Sequence, residues 1–323
     1  GDGFDDVYIG DYGIDKEPFP GIQSQLALGR KRGNLKPVTR SHLPQYVEQT
    51  HDISVADVDG DGDLDVFERN FSCNKPDDER VGPVLLINNG KARFTIAEDA
   101  IPAELNPPCA GVASDFADVD GDGDVDLIDS GSHNFEGHGW VAFNDGTGRF
   151  AITADSILPP RTNPAEGSST LEAGDLTGDG LPDIVVTNAS DLGELFFLQV
   201  LINRGDGTFD DRTQRFIPKG LGNGLDPVLL ADINGDGWLD IITANGGPGG
   251  RLGPKILLNY RGKKFVLAKN IFGSDADSGG LASGGRVSIP ADWDGDGDID
   301  LLFLFGDAFT YAENLRPYKA RRK

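Results

Sequence analysis

The chain has 323 residues, a formal net charge of −24, 45 Gly and 19 Pro, with 38% hydrophobic residues. That length fits one large β-domain, and the composition is turn-rich without reaching the level of a disordered chain. The acidity excludes a general nucleic-acid or anionic-membrane binder, because phosphate contact needs clustered Lys and Arg. The longest apolar stretch, near Leu195–Ile202, is broken by Gln199 and falls far short of the roughly 20 residues that a membrane-spanning helix needs.

The sequence contains no Met and opens inside a motif, so the expectation is a processed or partial chain with any targeting segment removed. Two cysteines, Cys73 and Cys109, are too few for a disulfide scaffold and lack the spacing of a zinc site. Their first reading is one disulfide, and the alternative is two buried thiols.

Taken in chain order, one element recurs. GDGFDDVYI opens the chain at Gly1, followed by DVDGDGDLDVF from Asp57, DVDGDGDVDLI from Asp118, DLTGDGLPDIV from Asp175, DINGDGWLDII from Asp232 and DWDGDGDIDLL from Asp292. The first glycine of each falls at 1, 60, 121, 178, 235 and 295, a spacing of 57 to 61 residues. An apolar run follows each motif (VFERN, LIDS, IVVTN, IITAN, LLFLF), and a second run ending in Asn comes next (VLLINN, WVAFN, LQVLIN, KILLN). Then stands a Gly-containing turn and a Phe, as in NDGTGRF and NRGDGTF, which is hairpin chemistry. A short strand such as ISVAD or PVLLAD precedes the next motif. Four short strands per unit, with no sustained helical period, predict an all-β fold: a β-propeller of about six four-stranded blades. The repeat units lie near residues 1–50, 51–111, 112–168, 169–225, 226–285 and 286–323 of a single domain spanning 1–323.

On these motifs the chain resembles the FG-GAP/VCBS repeat family, the integrin α-type propellers. The resemblance spans nearly the whole sequence, with five full motifs and one partial. It implies one blade per repeat and an acidic loop joining the innermost strand of each blade to the next.

The loops themselves point to a cation. Five carboxylates within nine residues repel one another unless an ion gathers them. Side chains at positions 1, 3 and 5 converge on one centre, Gly at 4 and 6 permits the sharp turn, position 7 offers its carbonyl and Asp at 9 closes the shell. A flexible all-oxygen set suits Ca²⁺ better than Mg²⁺. The predicted ligands are Asp57, Asp59, Asp61, the Asp63 carbonyl and Asp65; then Asp118, Asp120, Asp122, the Asp124 carbonyl and Asp126. The fourth unit gives Asp175, Thr177, Asp179, the Leu181 carbonyl and Asp183, weakest of the five because Thr177 replaces a carboxylate. The fifth gives Asp232, Asn234, Asp236, the Trp238 carbonyl and Asp240, and the sixth Asp292, Asp294, Asp296, the Asp298 carbonyl and Asp300. The first unit offers only Asp2, the Phe4 carbonyl and Asp6, a partial sixth site. An EF-hand would require Glu at position 12 and flanking helices; only the second unit has Glu there, Glu68. Apolar residues at position 2 (Val58, Val119, Leu176, Ile233, Trp293) and position 8 (Leu64, Val125, Leu239, Ile299) are expected to pin each loop to the blade core.

No catalytic motif stands out, and the expectation is a non-enzyme. His133, Glu136 and His138 read as ordinary loop residues, and Arg204-Gly205-Asp206 reads as hairpin-turn chemistry. Tyr12, Phe19, Phe135, Trp140, Phe272 and Tyr318 are candidate stacking platforms for a sugar. The functional expectation is an extracellular, secreted calcium-binding propeller for adhesion, surface recognition or extracellular assembly, with a protein or polysaccharide ligand or further copies of itself as partner. Nucleic acid and membrane insertion are not expected. Two alternatives stand beside it: a polysaccharide lyase or hydrolase on a calcium propeller, and a polymer subunit joined by exchange of terminal strands.

Overall fold

The computed structural model describes residues 2–11, 21–70, 82–102, 113–131, 138–161, 167–189, 196–221, 225, 227–243, 255–268, 287–292, 297–305 and 308–312. Among them the helical content is three short turns, Lys31–Gly33, Thr39–His42 and Thr213–Phe216. No helix of the described residues is long and apolar enough to cross a membrane. The chain divides into two compact units, Gly1–Leu158 and Pro159–Lys323.

The first unit holds three sheets. Sheet 1 comprises β1 (Val7–Ile9), β2 (Gln25–Arg30) and β3 (Asn34–Pro37). Sheet 2 comprises β4 (Thr50–Ala56), β5 (Asp65–Asn70), β6 (Val84–Asn88) and β7 (Phe94–Ile96). Sheet 3 comprises β8 (Ser114–Ala117), β9 (Asp126–Asp129), β10 (Trp140–Asn144) and β11 (Phe150–Ala151). The second unit repeats the plan. Sheet 4 is β12 (Gly167–Gly174), β13 (Asp183–Ala189), β14 (Phe196–Asn203) and β15 (Phe209–Asp211). Sheet 5 is β16 (Val228–Ala231), β17 (Asp240–Thr243), β18 (Lys255–Asn259) and β19 (Phe265–Leu267), and sheet 6 is β20 (Val287–Ala291), β21 (Asp300–Phe305) and β22 (Ala308–Ala312).

Every sheet is an antiparallel meander in chain order, and sheets 2 to 6 carry an acidic motif between their first and second strands. Sheets 2 to 5 have the expected four strands. Sheets 1 and 6 have three among the described residues, which departs from the expectation of four per unit. In sheet 1 the strand that directly follows the partial motif, β1, pairs with β2 and with no other strand among the described residues.

The second strand of sheets 2 to 5 is buried on both faces. In β5 all six residues are buried, and alternation sends neighbours to opposite sides. Phe67 joins Val58, Leu85, Leu127, Trp140 and Phe150 in a core shared with sheet 3. Val66 joins Val84 and Leu86, against which Tyr8 and Phe94 pack. Ile241 and Ile242 do the same in the second unit, the first with Leu176, Val185 and Leu257, the second with Ile233, Ile256 and Leu301. Each such side chain contributes about 1.5–3 kcal/mol by leaving water, so stacking sheet on sheet is the main cohesive term within each unit.

Polar groups register these seams. Buried Glu68 accepts hydrogen bonds from the Tyr8 and Tyr46 hydroxyls at 2.5 and 2.6 Å, tying sheet 1 and its following loop to sheet 2. Burial, reinforced by the charge of Glu68, pushes both phenols well above their ordinary range, so both stay protonated donors. On the other face of β5, Arg69 Nε lies 2.6 Å from Asp129 Oδ2, with both side chains 1% exposed. Beside this pair Asp52 accepts the Ser114 N–H at 2.8 Å, joining β4 to β8. Thr170, five residues before its own motif as Asp52 is before its motif, accepts the Val228 N–H at 2.9 Å and joins β12 to β16.

Burial pushes the Asp52 carboxyl up to about 6, against the pull of the Ser114 N–H. Its folded value lies above its ordinary one, so the native state binds more protons between the two. The resulting stabilisation is present at low pH and is lost as pH rises through about 6. The Asp52→Asn variant should therefore gain on the parent by on the order of 1–2 kcal/mol between about pH 4 and about pH 7. Urea unfolding at the two pH values measures this. A difference that does not change with pH would show that Asp52 titrates as an ordinary carboxylate.

Candidate metal centres

Each acidic loop is built by the same backbone-to-carboxylate bonds. The glycines at positions 4 and 6 have positive φ, for example +72° at Gly60 and +91° at Gly62, a conformation that side chains resist. The position-6 N–H then donates to the Oδ2 of position 1: Gly62 to Asp57, Gly123 to Asp118, Gly180 to Asp175, Gly237 to Asp232 and Gly297 to Asp292, at 2.7–3.1 Å. The position-7 N–H donates to Oδ1 of position 5 in Asp61, Asp122, Asp179 and Asp236. Phe4 and Asp2 make the same bond in the partial motif, at 3.1 Å.

Position 9 has a further duty that the sequence did not disclose. Asp65 accepts Val58 N–H on Oδ2 at 3.1 Å and Asn88 N–H on Oδ1 at 2.8 Å. Asp126 takes Val119 and Asn144 in the same way, and Asp183 takes Leu176 and Asn203. Asp240 accepts Asn259 N–H at 2.7 Å, and Asp6 accepts Gly29 N–H at 2.8 Å. In sheets 2 to 5 this carboxylate thus closes the loop onto the third strand of its own sheet, and in sheet 1 Asp6 holds β2. Burial pushes Asp65 and Asp126 up to about 6 and Asp183 and Asp240 up to about 7, with the backbone N–H groups pulling each back down and the loop's other carboxylates adding to the rise. Such a group favours a nearby positive charge.

Two loops bring three carboxylates together. One oxygen from each of Asp57, Asp59 and Asp61 lies within 4.8 Å of the others, and the same holds for Asp118, Asp120 and Asp126. Oxygens around a calcium ion at 2.3–2.6 Å must lie within about 5 Å of one another, so both groups fit a hard divalent cation. In the fourth unit the buried hydroxyl of Thr177, at position 3, has no hydrogen-bond partner among the described residues. In the fifth, Asn234 Nδ2 donates to Asp240 Oδ2 at 3.0 Å. Asp294 and Asp296 lie outside the described residues, as do Trp293, Cys73, Cys109, His133 and Glu136.

The position-2 residues Val58, Val119, Leu176 and Ile233 are at most 1% exposed, as expected. Position 8 needs a correction: Val125, Leu239 and Ile299 pack on cores shared with the preceding sheet, but Leu64 is 59% exposed. Sheet 1 does share cores with sheet 2, through Tyr8, Val66 and Phe94, but Leu64 takes no part in them. Trp140 is also corrected, from stacking platform to core residue at 4% exposure; the other five aromatics proposed for stacking lie outside the described residues. In the Arg-Gly-Asp triplet, Asp206 Oδ1 accepts the Thr208 N–H at 3.1 Å and the Thr208 hydroxyl, the same turn that Asp145 makes with Thr147. Glu68 binds two tyrosines rather than a loop cation, and strands flank the loop, which removes the EF-hand alternative.

A family model described as FG-GAP-like repeat matches residues 1–68, 130–186, 175–243 and 232–303. Among curated proteins the comparison finds no match. A solved structure titled for specific recognition of non-reducing terminal N-acetylglucosamine by an Agrocybe aegerita lectin is 18% identical, with TM-score 0.62, covering 97% of this chain and 77% of that one. The Photorhabdus luminescens Tc holotoxin pore (18% identity, TM-score 0.49) covers 95% of this chain but only 14% of its own. A Trypanosoma rangeli sialidase is 12% identical with TM-score 0.48, covering 92% and 49%. The likeness to the lectin concerns the fold, a β-propeller.

The double acceptance at position 9 makes a prediction independent of any ion. In Asp183→Asn one backbone N–H must face an amide donor, which should cost about 1–3 kcal/mol in excess chelator. Asp206→Asn, in an exposed turn, should stay within about 0.5 kcal/mol of the parent. Denaturant unfolding compares them, and equal effects would deny position 9 its structural role.

Proposed function

Because this chain belongs to the FG-GAP-like repeat family, we propose that it is a calcium-loaded extracellular recognition propeller. The observation that carries this reading is the recurrence of one oxygen-lined loop in five motifs, two of which gather three carboxylates within 4.8 Å. Asp57, Asp59, Asp61 and Asp65, with their counterparts in the other four motifs, would hold the ions; position 7 would add its carbonyl. Bound calcium supplies positive charge that offsets the mutual repulsion of the carboxylates and fixes the link between the first two strands of each sheet. Sites of this ligand type suit the calcium concentrations outside cells rather than those of the cytosol, which supports a secreted or surface location.

The ions are structural in this reading, and recognition falls to other loops of a rigid propeller. The fold shared with a glycan-binding lectin supports a glycan ligand, with a protein ligand as the other class. Sugars terminating in N-acetylglucosamine are the first probes to try.

Two experiments test this. Millimolar calcium should raise Tm over the EGTA-treated protein by on the order of 5–15 °C, with a much smaller rise in magnesium; coincident melting curves would refute the calcium reading. Glycan-array binding without turnover, lost in EGTA and restored by calcium, would support recognition. Cleavage of an arrayed polysaccharide by the calcium-loaded protein would replace recognition by catalysis.

A further inference from the structure

Two buried polar groups lie away from the acidic loops: the Arg69–Asp129 pair and the Tyr8–Tyr46–Glu68 group. The first is an ion pair across the seam between sheets 2 and 3, and the second hydrogen-bonds sheet 1 to sheet 2. What these seams do not explain is a single asparagine that reaches into two acidic loops at once.

Asn144 ends the third strand of sheet 3. Its Nδ2 donates to the Val125 carbonyl at 3.0 Å, at position 8 of its own loop, and to the Val58 carbonyl at 2.8 Å, at position 2 of the preceding loop. Its backbone N–H holds Asp126 Oδ1 at 2.9 Å, while its Oδ1 accepts the Gly146 and Gly148 N–H groups, both at 3.1 Å. Asn259 repeats this in the second unit. Its Nδ2 donates to Leu239 O at 3.1 Å in its own loop and to Leu176 O at 2.9 Å in the preceding one, and its N–H holds Asp240. Asn88, at the same place in sheet 2, bonds Leu64 O in its own loop at 3.1 Å and has no bond to another acidic loop among the described residues.

The turns that follow these asparagines press on the same neighbours. A Cβ at Gly148 would stand 3.3 Å from Val58 Cγ2, and one at Gly262 would stand 2.5 Å from the Thr177 carbonyl. Position 2 separates the two ligand positions 1 and 3. In Val58 its N–H is held by Asp65 and its carbonyl by Asn144, so the backbone between Asp57 and Asp59 is fixed from both sides.

We propose that cation sites on neighbouring sheets of one unit are energetically coupled through this shared asparagine: loop 57–65 with loop 118–126 through Asn144, and loop 175–183 with loop 232–240 through Asn259. The inference rests on the calcium reading above. Filling one loop fixes its position-2 carbonyl, which seats the asparagine, which in turn orients Asp126 or Asp240 for the next ion. Coupling of this kind is reciprocal. Asn144 and Asn259 act as positioning residues and touch no ion.

The test follows each site separately in the full chain labelled with ¹⁵N-glycine and titrated with Ca²⁺ alone. The Gly62 and Gly123 amides report the two loops, since each donates to its own position-1 aspartate. Asp120→Asn weakens loop 118–126 directly. With Asn144 intact it should also raise the calcium midpoint at Gly62 by about fivefold or more, and Asn144→Ala should abolish that transfer. A Gly62 midpoint unmoved by Asp120→Asn overturns the proposal, and this outcome does not depend on Asn144→Ala folding. If neither glycine responds to calcium in the parent protein, the calcium reading fails and the coupling with it. Asp236→Asn, read at Gly180, repeats the comparison across Asn259.

Discussion

A buried carboxylate clamped between two backbone N–H groups is the constraint on which the rest depends. At Asp65, Asp126 and Asp183 one oxygen holds the start of the acidic loop and the other holds the end of the third strand. One side chain therefore fixes three pieces of each sheet. An apolar residue could fill the space but would leave two buried N–H groups without acceptors. Burying a carboxylate also has a cost, visible in the raised pKa of each of these groups. A cation in the same loop would offset that cost, so the structural demand and the proposed metal-binding demand would fall on the same residue type at the same position.

From that clamp the stacking of sheets follows. At position 2 Val58, Leu176 and Ile233 face the next sheet of their unit, and at position 8 Val125, Leu239 and Ile299 face the one before. Apolar burial supplies the cohesion, and sparse polar contacts set the register: Asp52 on Ser114, Thr170 on Val228, Glu68 under its two tyrosines. Within each unit a repeat touches its neighbours in sequence, which makes the energetics of each unit close to one-dimensional. The asparagines at the ends of the third strands carry the same nearest-neighbour logic into the acidic loops.

Much of this was legible in the sequence because the repeat is written in residues with few substitutes. Aspartate at alternate positions, glycine where φ is positive and β-branched runs at fixed offsets gave the strand order, the position of every loop and the burial of Val58, Val119, Leu176 and Ile233. Features that depend on which sheet lies alongside were not legible. Leu64 has the same local pattern as Val125 yet faces solvent, outside the cores that sheets 1 and 2 share. Trp140 could have been a surface platform or a core residue on sequence grounds, and only the packing of sheet 3 on sheet 2 settles it. The asparagine ending the runs WVAFN and KILLN was visible, but its reach into the preceding loop spans more than 80 residues of chain and leaves no local trace.

The account stands or falls on whether the loops hold calcium while the sheets stay assembled. Anomalous diffraction from crystals grown in calcium tests this most directly. It should show a peak within coordination distance of the position-1, -3 and -5 side chains in loops 57–65, 118–126, 175–183, 232–240 and 292–300, weakest where Thr177 stands. Intact sheets whose loops carry no anomalous peak at saturating calcium would contradict it.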